Sequence, residues 1–485
     1  MRKTLLFFTI LVFILSACVF CVLPADKVET ITLIIDASAK TQNVNPRVYG
    51  TSILGWEANN GREKIPNYRI AADYGYGIRD GTKFCEEPLA LIKNIDIRMI
   101  RLSGQFTDWE KGVPSLSNKE YKFGLDDQIG FCREIGAEPI ICLQNLWLED
   151  SYKRLAEYLK VHYPEVKYIE IGNESYFILK PQEYVDRYLH YYDMFKSINP
   201  NLMLGIVGYE KDWDESVVKM VGDRFDFIVK HYYPHGGKNN SPNQDSNKIY
   251  ENLFTKGMAI EKDIKNTHNI IKSITGKDRP IAVTEFTAWF VQQKPVPYRH
   301  CLGTALVNAE LLRIFMKPEN NILCANYWNY INEYWGMVSN RFSGRESELG
   351  KSYFKRPNYY VFEMYAKHFG KELVQCSLSK NKYVSVNVST INDRSKLYIM
   401  LVNRNLNERE KLTIDLRGFN PSSQAGEWVL TGKSIDSTNE KPPHNDVVIK
   451  SRKFLIKSNK FQILLEPRSV TAIEIERGGG ADGDK

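Results

Sequence analysis

Two glutamates stand where apolar segments of the chain end, and together they could act as a catalytic pair. Glu174 and Asn173 closely follow the segment Lys167–Ile171, and Glu285 directly follows the segment Pro280–Thr284. Glycoside hydrolysis requires one carboxyl group that protonates the leaving oxygen and a second that attacks or activates water. A salt bridge with a neighbouring cation would explain either glutamate alone. Because two such residues follow different strand-like segments, a catalytic site is favoured over two separate salt bridges.

Other polar side chains end further apolar segments and could serve the same site. Arg101 could position a carboxylate or a sugar, although an ordinary salt bridge is the alternative. Tyr233 could keep Glu285 ionised by a hydrogen bond. His231 and His235 have the spacing of two metal ligands, but no third ligand is apparent in the sequence. We therefore predict a site without metal and without cofactor.

Two tryptophans offer flat faces on which a sugar ring could stack. Trp289 lies four residues after Glu285, and Trp328 ends a late apolar segment. Each could equally be an aromatic residue of the core. The chain has no GxSxG, GxxxxGK[ST] or HExxH motif, so serine hydrolase, nucleotide-binding and zinc-protease functions have no support.

The elements that must position these residues alternate regularly between strand-like and helix-like segments. Between about residues 48 and 370, apolar segments of strand length alternate with amphipathic segments of helix length, which indicates a (β/α)8 barrel. A doubly wound open sheet is the alternative, weakened because no GxGxxG follows the first strand. The eight predicted strands are Val48–Leu54, Ile97–Leu102, Glu138–Leu143, Lys167–Ile171, Leu202–Val207, Phe225–Tyr232, Pro280–Thr284 and Asn321–Trp328.

The pattern changes after about residue 372 to short strands of alternating hydrophobicity with turn-rich links. This change predicts a C-terminal antiparallel β-sandwich, which the early strand Glu29–Ile35 is expected to join. The predicted domains are an export signal or membrane anchor (1–24), an N-terminal strand of the sandwich (25–45), a catalytic barrel (46–371), the sandwich (372–477) and a disordered tail (478–485).

The first residues have the features of an export segment. Arg2 and Lys3 precede an apolar run at residues 4–23, which leaves three fates open: a cleaved signal, an uncleaved anchor, or a lipoprotein modified at Cys18. All three predict an extracytoplasmic protein that is secreted or anchored to a membrane. The net charge of the chain is +7 and no block of basic residues occurs, so we expect no nucleic-acid partner.

Seven segments together resemble the clan A retaining glycoside hydrolases, most closely the family 51 α-L-arabinofuranosidases. Glu174 and Glu285 lie in segments similar to the acid/base and nucleophile motifs of the clan. The later segments resemble the strand-eight and sandwich motifs of family 51. The seven segments are Thr32–Gly50, Ile97–Trp109, Phe123–Leu143, Val166–Ser175, Ala282–Phe290, Ile322–Asn332 and Gly426–Asn439.

The resemblance implies a role for each site residue. Glu174 would be the general acid/base and Glu285 the nucleophile, oriented by Tyr233 and supported by Arg101. Asn173 would bind the 2-hydroxyl of the reacting sugar. A second group of side chains would complete substrate binding: His231, Trp289, Trp328 and Asn329. The resemblance also implies a polysaccharide or oligosaccharide substrate and a homo-oligomer.

Two departures from the family pattern concern the reacting sugar rather than the carboxylates. Leu54 stands where the family has Glu, and Phe106 ends the segment where the family has Pro-Gly-Gly-Asn. We therefore expect weak activity on aryl α-L-arabinofuranosides relative to the best substrate. An endo-β-glycanase of the same clan and a non-catalytic carbohydrate-binding protein are the alternatives.

The retaining mechanism carries two expectations about the carboxyl groups. They should lie about 5–5.5 Å apart, whereas an inverting enzyme separates them by roughly 6.5–9.5 Å. Since Glu174 must begin as an acid, we also expect burial and the charge of Glu285 to raise the pKa of Glu174.

Overall fold

Most of the chain is described by a computed structural model. It covers residues 30–54, 79–80, 83–103, 107–108, 113–114, 125–236, 245–290, 296–332, 335–339 and 353–478. The export segment with Cys18, the residue Phe106 and the tail from residue 479 onward lie outside the described residues. Among the described helices, none combines the length and the apolar character that crossing a bilayer requires.

Eight parallel strands form a closed barrel, which confirms the predicted fold class. The strands of this part of the chain are β1 (Ile31–Asp36), β2 (Gln42–Asn43), β3 (Gly50–Leu54), β4 (Arg79–Asp80), β5 (Lys83–Phe84), β6 (Met99–Ser103), β7 (Thr107–Asp108), β8 (Val113–Pro114), β9 (Glu138–Leu143), β10 (Tyr168–Ile171), β11 (Met203–Val207), β12 (Phe227–Tyr232), β13 (Ile281–Phe286) and β14 (Ile322–Tyr327). The barrel runs in chain order through β3, β6, β9, β10, β11, β12, β13 and β14, and β14 pairs with β3 to close it.

The barrel strands agree with the predicted segments, with one difference that matters for the site. We predicted that the seventh strand ends at Thr284, whereas β13 continues to Phe286, so Glu285 lies within the strand. The helices are α1 (Glu86–Asn94), α2 (Leu125–Ile135), α3 (Glu149–His162), α4 (Pro181–Ile198), α5 (Lys211–Val221), α6 (Ser246–Thr275), α7 (Leu302–Phe315) and α8 (Pro357–His368).

Two sheets after the barrel form the β-sandwich. The remaining strands are β15 (Glu372–Leu373), β16 (Gln375–Leu378), β17 (Val384–Thr390), β18 (Lys396–Asn403), β19 (Glu410–Arg417), β20 (Pro421–Thr431), β21 (Val448–Leu455), β22 (Lys460–Leu465) and β23 (Ser469–Arg477). One sheet has the order β16-β1-β19-β22, and the other has the order β2-β15-β17-β18-β23-β20-β21. The N-terminal strand β1 joins the sandwich as predicted, although it pairs with β19 in a parallel direction.

The seven-stranded sheet contacts the sandwich core with one face and the barrel with the other. Ile399 and Ile473 belong to the core between the two sheets. Met400 and Ala472, each one position away on the same strands, belong to the hydrophobic cluster that includes the barrel helices. This placement follows from the alternation of side chains along a strand, and it gives the two units a continuous apolar contact.

The end of the barrel interior at the strand N-termini is filled with apolar side chains. Met99, Tyr168, Phe227 and Cys324 belong to one buried cluster there. Gly205 on β11 leaves the space that the Phe227 ring occupies, since a Cβ at Gly205 would lie 2.1 Å from a ring carbon. The polar residues of the site therefore stand above a packed apolar layer.

Candidate active site

The carboxyl ends of β10, β12 and β13 bring three titratable side chains together. One carboxylate oxygen of Glu174, one of Glu285 and a ring nitrogen of His231 all lie within 4.8 Å of one another. Their separation in the sequence is large, but parallel barrel strands end at the same rim. The two glutamates thus face each other across the barrel mouth.

A tight turn after β10 directs Glu174 into the mouth. Gly172 has φ of +99°, and a Cβ at that position would lie 2.5 Å from the Ser175 hydroxyl oxygen. Glu174 itself has φ of 46° and ψ of 38°, a left-handed conformation that non-glycine residues adopt at a cost. The backbone departs from the strand direction here, which is why Glu174 is more exposed than Glu285.

A bulge in β13 sets the position of Glu285. Lys230 on β12 pairs with Val283, but the next residue, His231, pairs with Glu285, so Thr284 is an extra residue in β13. Such a bulge changes the direction of the side chains that follow it. His231 and Glu285 become direct neighbours, and the Thr284 hydroxyl oxygen lies 3.0 Å from His231 Nε2.

Glu285 is held by a cation on one oxygen and a phenol on the other. Arg101 Nη1 donates a hydrogen bond to Oε1 at 2.6 Å. The Tyr233 hydroxyl donates to Oε2. The predicted contacts of Arg101 and Tyr233 with Glu285 are both present, and they fix the orientation of the carboxylate plane.

Arg101 is completely buried and donates hydrogen bonds to side chains on three other barrel strands, β9, β10 and β13. Its Nε and Nη2 donate to the two carboxylate oxygens of Glu170 at 2.8 and 2.9 Å. Nη2 also donates to Asn173 Oδ1 at 2.7 Å and to Cys142 Sγ at 3.3 Å. Burial alone would raise the pKa of Glu170, but Arg101 and His231 outweigh it and lower that pKa to about 2.

His231 lies among three carboxylates. Its Nδ1 is 3.0 Å from Glu174 Oε1 and 3.7 Å from Glu285 Oε2, and its Nε2 is 3.8 Å from Glu170 Oε1. Burial would lower the pKa of His231, but Glu285, Glu170 and Glu174 raise it to about 9. The imidazole is therefore protonated at neutral pH and carries a positive charge.

The pKa of Glu174 is lowered, so our expectation of a raised pKa is wrong for the free site. Burial does favour the protonated carboxyl group, as we expected. The hydrogen bond and the charge of His231 outweigh burial, with smaller contributions from Tyr176 and Arg101. In the free site the proton therefore resides on the imidazole, next to the carboxylate that would use it.

Glu174, His231 and Glu285 also form the one group of three potential metal-ligand side chains among the described residues. A cation there would have to displace the imidazole proton and share Glu285 with the Arg101 guanidinium. His235 is exposed and contacts Lys256 instead of the mouth. The donor set is therefore already neutralised by protein cations, and it fits a proton-transfer site better than a metal site.

Aromatic side chains form one wall of the mouth beside Glu285. Trp289 is 37% exposed, and its ring packs edge-on against Tyr233 at 5.5 Å. Trp328 is partly exposed, so it is not a fully buried core residue and can offer a face to a sugar ring. Asn329 is buried, and its Oδ1 has no hydrogen-bond partner among the described residues.

A buried arginine connects this wall to the sandwich. Arg356 Nη1 donates to the carbonyl oxygens of Asn332 and Gly336, each at 2.8 Å, and its Nε donates to Glu440 Oε1 at 2.7 Å. Asn332 Oδ1 in turn accepts a hydrogen bond from the backbone N–H of Trp335 at 2.6 Å. Glu440 belongs to the sandwich loop between β20 and β21, so this loop braces the segment that follows β14.

The braced segment supplies an aromatic residue that sequence reasoning missed. The Trp335 ring lies 5.5 Å from the ring of Trp289. The sequence analysis also missed Glu170, although a single carboxylate within an apolar strand can indicate a buried polar site. Tyr176, which donates to Glu174 Oε1 at 3.1 Å, had no such signal.

The structure brings every predicted site residue to the same rim. These residues are Arg101, Asn173, Glu174, His231, Tyr233, Glu285, Trp289, Trp328 and Asn329. Of the two departures from the family pattern, Phe106 lies outside the described residues. Leu54 ends β3, but its side chain is outside the described part. The specificity that these two residues imply stays a prediction.

A closed (β/α)8 barrel with two carboxylates at the carboxyl end of its strands is the arrangement of the clan A class of glycoside hydrolases, and the chain is a glycoside hydrolase that resembles this class. Within the class it resembles family 51. A family model, the alpha-L-arabinofuranosidase C-terminal domain, matches residues 284–469. An intracellular exo-alpha-L-arabinofuranosidase from Bacteroides ovatus is 23% identical, with 79% of this chain and 85% of that protein covered.

Solved structures with the same fold agree with this resemblance. An alpha-L-arabinofuranosidase from Thermotoga maritima, solved with arabinose, has a TM-score of 0.75 at 21% identity and covers 92% of this chain and all of that one. A GH51 alpha-L-arabinofuranosidase from Thermotoga petrophila has a TM-score of 0.75 at 22% identity with the same coverage. A family 44 xyloglucanase from Paenibacillus polymyxa has a lower TM-score of 0.63 at 12% identity, covering 93% of this chain and all of that one.

These comparisons contradict the predicted location. We predicted an extracytoplasmic protein from residues 4–23, but the similar Bacteroides ovatus enzyme is named as intracellular.

Proposed function

We propose that the chain is a retaining, α-L-arabinofuranosidase-like hydrolase that cleaves arabinofuranosyl bonds of plant-type polysaccharides or oligosaccharides by double displacement. The observation that carries the proposal is the spacing of Glu174 and Glu285, whose nearest oxygens lie within 4.8 Å. Retaining enzymes separate their carboxyl groups by about 5–5.5 Å, because the nucleophile must reach the anomeric carbon directly.

In the first step, Glu285 attacks the anomeric carbon and the bond to the leaving oxygen breaks. The hydrogen bonds from Arg101 and Tyr233 hold the Glu285 carboxylate in place and direct one lone pair into the mouth. When the glycosyl-enzyme forms, the negative charge of Glu285 is lost. Arg101 keeps its other partner, Glu170, so the guanidinium is not left unpaired in the buried site.

Glu174 protonates the leaving oxygen with a proton that the free site stores on His231. The imidazole Nδ1 lies 3.0 Å from Glu174 Oε1, which is within reach of direct transfer. A bound sugar excludes water from Glu174 and so favours its neutral form. In the second step Glu174 removes a proton from the attacking water, whose oxygen displaces Glu285 from the anomeric carbon. The proton then returns from Glu174 to His231, which restores the free enzyme.

Further residues are proposed to bind the reacting sugar. Asn173 is oriented by Arg101 and would bind the 2-hydroxyl. The unpartnered Oδ1 of Asn329 would accept a hydrogen bond from another hydroxyl. Trp328 and Trp289 would supply the apolar surface beside the ring. The predicted homo-oligomer and the domain boundaries at residues 46, 372 and 477 also remain proposals.

Azide rescue of two variants tests the roles of the carboxylates. Glu285→Ala is expected to abolish turnover of every glycoside. Glu174→Ala is expected to retain the first step for aryl glycosides, whose leaving groups need little protonation, and added azide should restore the second step with retained configuration. Rescue of Glu285→Ala to a retained azide, together with rescue of Glu174→Ala to an inverted azide, would exchange the two roles.

Product analysis tests the substrate class. Arabinoxylan, unsubstituted xylan and mixed-linkage β-glucan are incubated with the enzyme, and the released sugars are separated. Free arabinose from arabinoxylan supports the proposal, whereas shortened xylan or glucan chains would indicate an endo-glycanase. We also keep the prediction that Leu54 and Phe106 make aryl α-L-arabinofuranosides poorer substrates than the best saccharide.

A further inference from the structure

Within the described part of the chain, the exposed aromatic side chains are confined to one end of the molecule. Among the large hydrophobic residues that are exposed in the described part of the chain, four are aromatic. All four follow barrel strands at the rim of the mouth, whereas the aliphatic ones are spread over helices and the sandwich as well. The four are Trp147, Phe177, Tyr209 and Trp289. Exposed aromatic rings gathered at one rim indicate a binding surface.

Three of the four follow adjacent strands. Trp147 comes after β9, Phe177 after β10 and Tyr209 after β11, and these strands pair in that order. Their exposed fractions are 53%, 69% and 42%. They therefore form a row along one side of the mouth, separate from the wall that contains Trp289.

Packing behind the row holds the ring of Tyr209 in place. Tyr209 stacks on Tyr176 with ring centres 3.9 Å apart and an angle of 13° between the planes. Phe177 packs edge-on against the same Tyr176 ring at 4.6 Å. One face of Tyr209 is thus covered by protein, and its exposed part is fixed before any ligand arrives. A fixed flat surface loses little entropy on binding.

The row lies on the side of the mouth from which the leaving group departs. Tyr176 donates a hydrogen bond to Glu174 Oε1 at 3.1 Å, so the row adjoins the proposed acid. The acid must contact the leaving oxygen, and the rest of the leaving group extends beyond it. Trp289 and Trp335 lie on the opposite side, beside Glu285.

We propose that Phe177 and Tyr209 bind the leaving-group saccharide, and that they select one built of pyranose rings. A pyranose chair with equatorial hydroxyls presents a flat face of C–H bonds that fits an aromatic plane, whereas a puckered furanose ring presents less. The inference rests on the proposed function. The substrate class that we infer for the enzyme is an arabinofuranosyl group attached to a pyranose backbone, in preference to an all-furanose arabinan.

The test compares three substrates that share the reacting sugar. One is an arabinofuranosyl xylo-oligosaccharide, one is an arabino-oligosaccharide, and one is methyl α-L-arabinofuranoside, whose methyl group is too small to span the row. For Phe177→Ala we expect the ratio of kcat/KM between the xylo-oligosaccharide and the methyl glycoside to fall roughly three- to tenfold. Phe177→Trp should restore the ratio, because it restores an aromatic face.

Val161→Ala is the matched control, since Val161 is 71% exposed on α3, a barrel helix, and takes no part in the site. It should leave the ratio unchanged. An unchanged ratio in Phe177→Ala would overturn the proposal, and so would a wild-type preference for the arabino-oligosaccharide. If Phe177→Ala changes the oligomeric state and leaves the kcat/KM ratio unchanged, the aromatic row is a contact between copies of the chain and the proposal is wrong. If the wild type cleaves none of the three, the proposed function itself fails.

Discussion

The two ends of the barrel interior are built from the same strands but have opposite chemistry. Near the strand N-termini the inward side chains include Met99, Tyr168 and Val229, all in one buried apolar cluster. Two residues further along the same strands stand Arg101, Glu170 and His231. Since side chains two residues apart on a strand point to the same side, each strand changes from apolar to ionic within the barrel.

The difference shows how a buried charge layer can be tolerated. The apolar layer loses water-exposed surface and stabilises the barrel. The ionic layer must supply each buried charge with a partner. The single side chain of Arg101 donates hydrogen bonds to Glu170, Glu285 and Asn173. We infer that the lower layer contributes stability, while the upper layer contributes chemistry at little or no gain in stability.

Removing the central cation should have the largest effect. Arg101→Met leaves Glu170 buried without its cation, so we expect a loss of about 3–5 kcal/mol in the free energy of unfolding. Activity should fall about 10²- to 10³-fold, because Glu285 loses its support. Chemical denaturation and kcat/KM measure the two effects.

The double variant Arg101→Met/Glu170→Met sharpens the comparison. Replacing a whole buried ion pair with apolar residues is often neutral for stability. We expect the double variant to recover most of the stability and none of the activity. Recovered activity would contradict the inference that the ionic layer provides the chemistry and the apolar layer provides the stability.

A cavity in the lower layer should have the converse effect. Phe227→Ala removes a ring that fills the space left by Gly205, and we expect the free energy of unfolding to fall by about 3–5 kcal/mol. The folded fraction should keep its kcat within about twofold, because no site residue moves into the gap. A drop in kcat that matches an Arg101 variant would show that the layers are not separable.

The charge on His231 should appear in the pH dependence. The folded pKa is about 9 and the ordinary value is 6.5. A raised pKa means that this contribution to stability is complete below pH 6.5 and is lost as the pH rises toward 9. His231→Gln should therefore flatten the stability profile over that window.

The same substitution should alter the alkaline limb of activity. In the wild type, the proton shared by His231 and Glu174 should be lost near pH 9, so kcat/KM should fall there. Without the imidazole, the limb should move to lower pH. If kcat/KM of His231→Gln falls at the same alkaline pH as that of the wild type, His231 does not hold the proton that Glu174 uses.

The brace from the sandwich should give the smallest effect. Glu440→Gln keeps the shape of the side chain but removes its charge from Arg356, at an expected cost of about 1–3 kcal/mol. Because Arg356 orients the segment that carries Trp335, KM should rise while kcat stays within about twofold. The tryptophan fluorescence spectrum should shift in the same variant whose KM rises. A loss in kcat as large as the change in KM, without a spectral change, would indicate a general loss of folded protein.

Much of the site could be predicted because barrel strands follow a simple geometric rule. Residues that end apolar segments meet at one rim, which placed Glu174 and Glu285 together without any contact information. The bulge at Thr284 could not be predicted, since it depends on the register of β13 against β12. That register makes His231 a direct neighbour of Glu285.

The direction of the pKa of Glu174 required the three-dimensional arrangement. The sequence predicted burial and a second carboxylate, and both would raise it. It did not predict that His231 lies 3.0 Å away and is itself made cationic by Glu285 and by Glu170, a residue hidden inside an apolar strand. The brace through Arg356 and Glu440 joins residues 84 positions apart and has no local pattern.

The configuration of the first product tests the central claim most directly. The wild-type enzyme is mixed with a glycoside in the NMR tube, and the anomeric proton of the released sugar is followed before mutarotation. Two carboxylates this close leave no room for a water between the nucleophile and the anomeric carbon. Double displacement predicts that the first anomer has the configuration of the substrate. An inverted first anomer would contradict double displacement by Glu174 and Glu285.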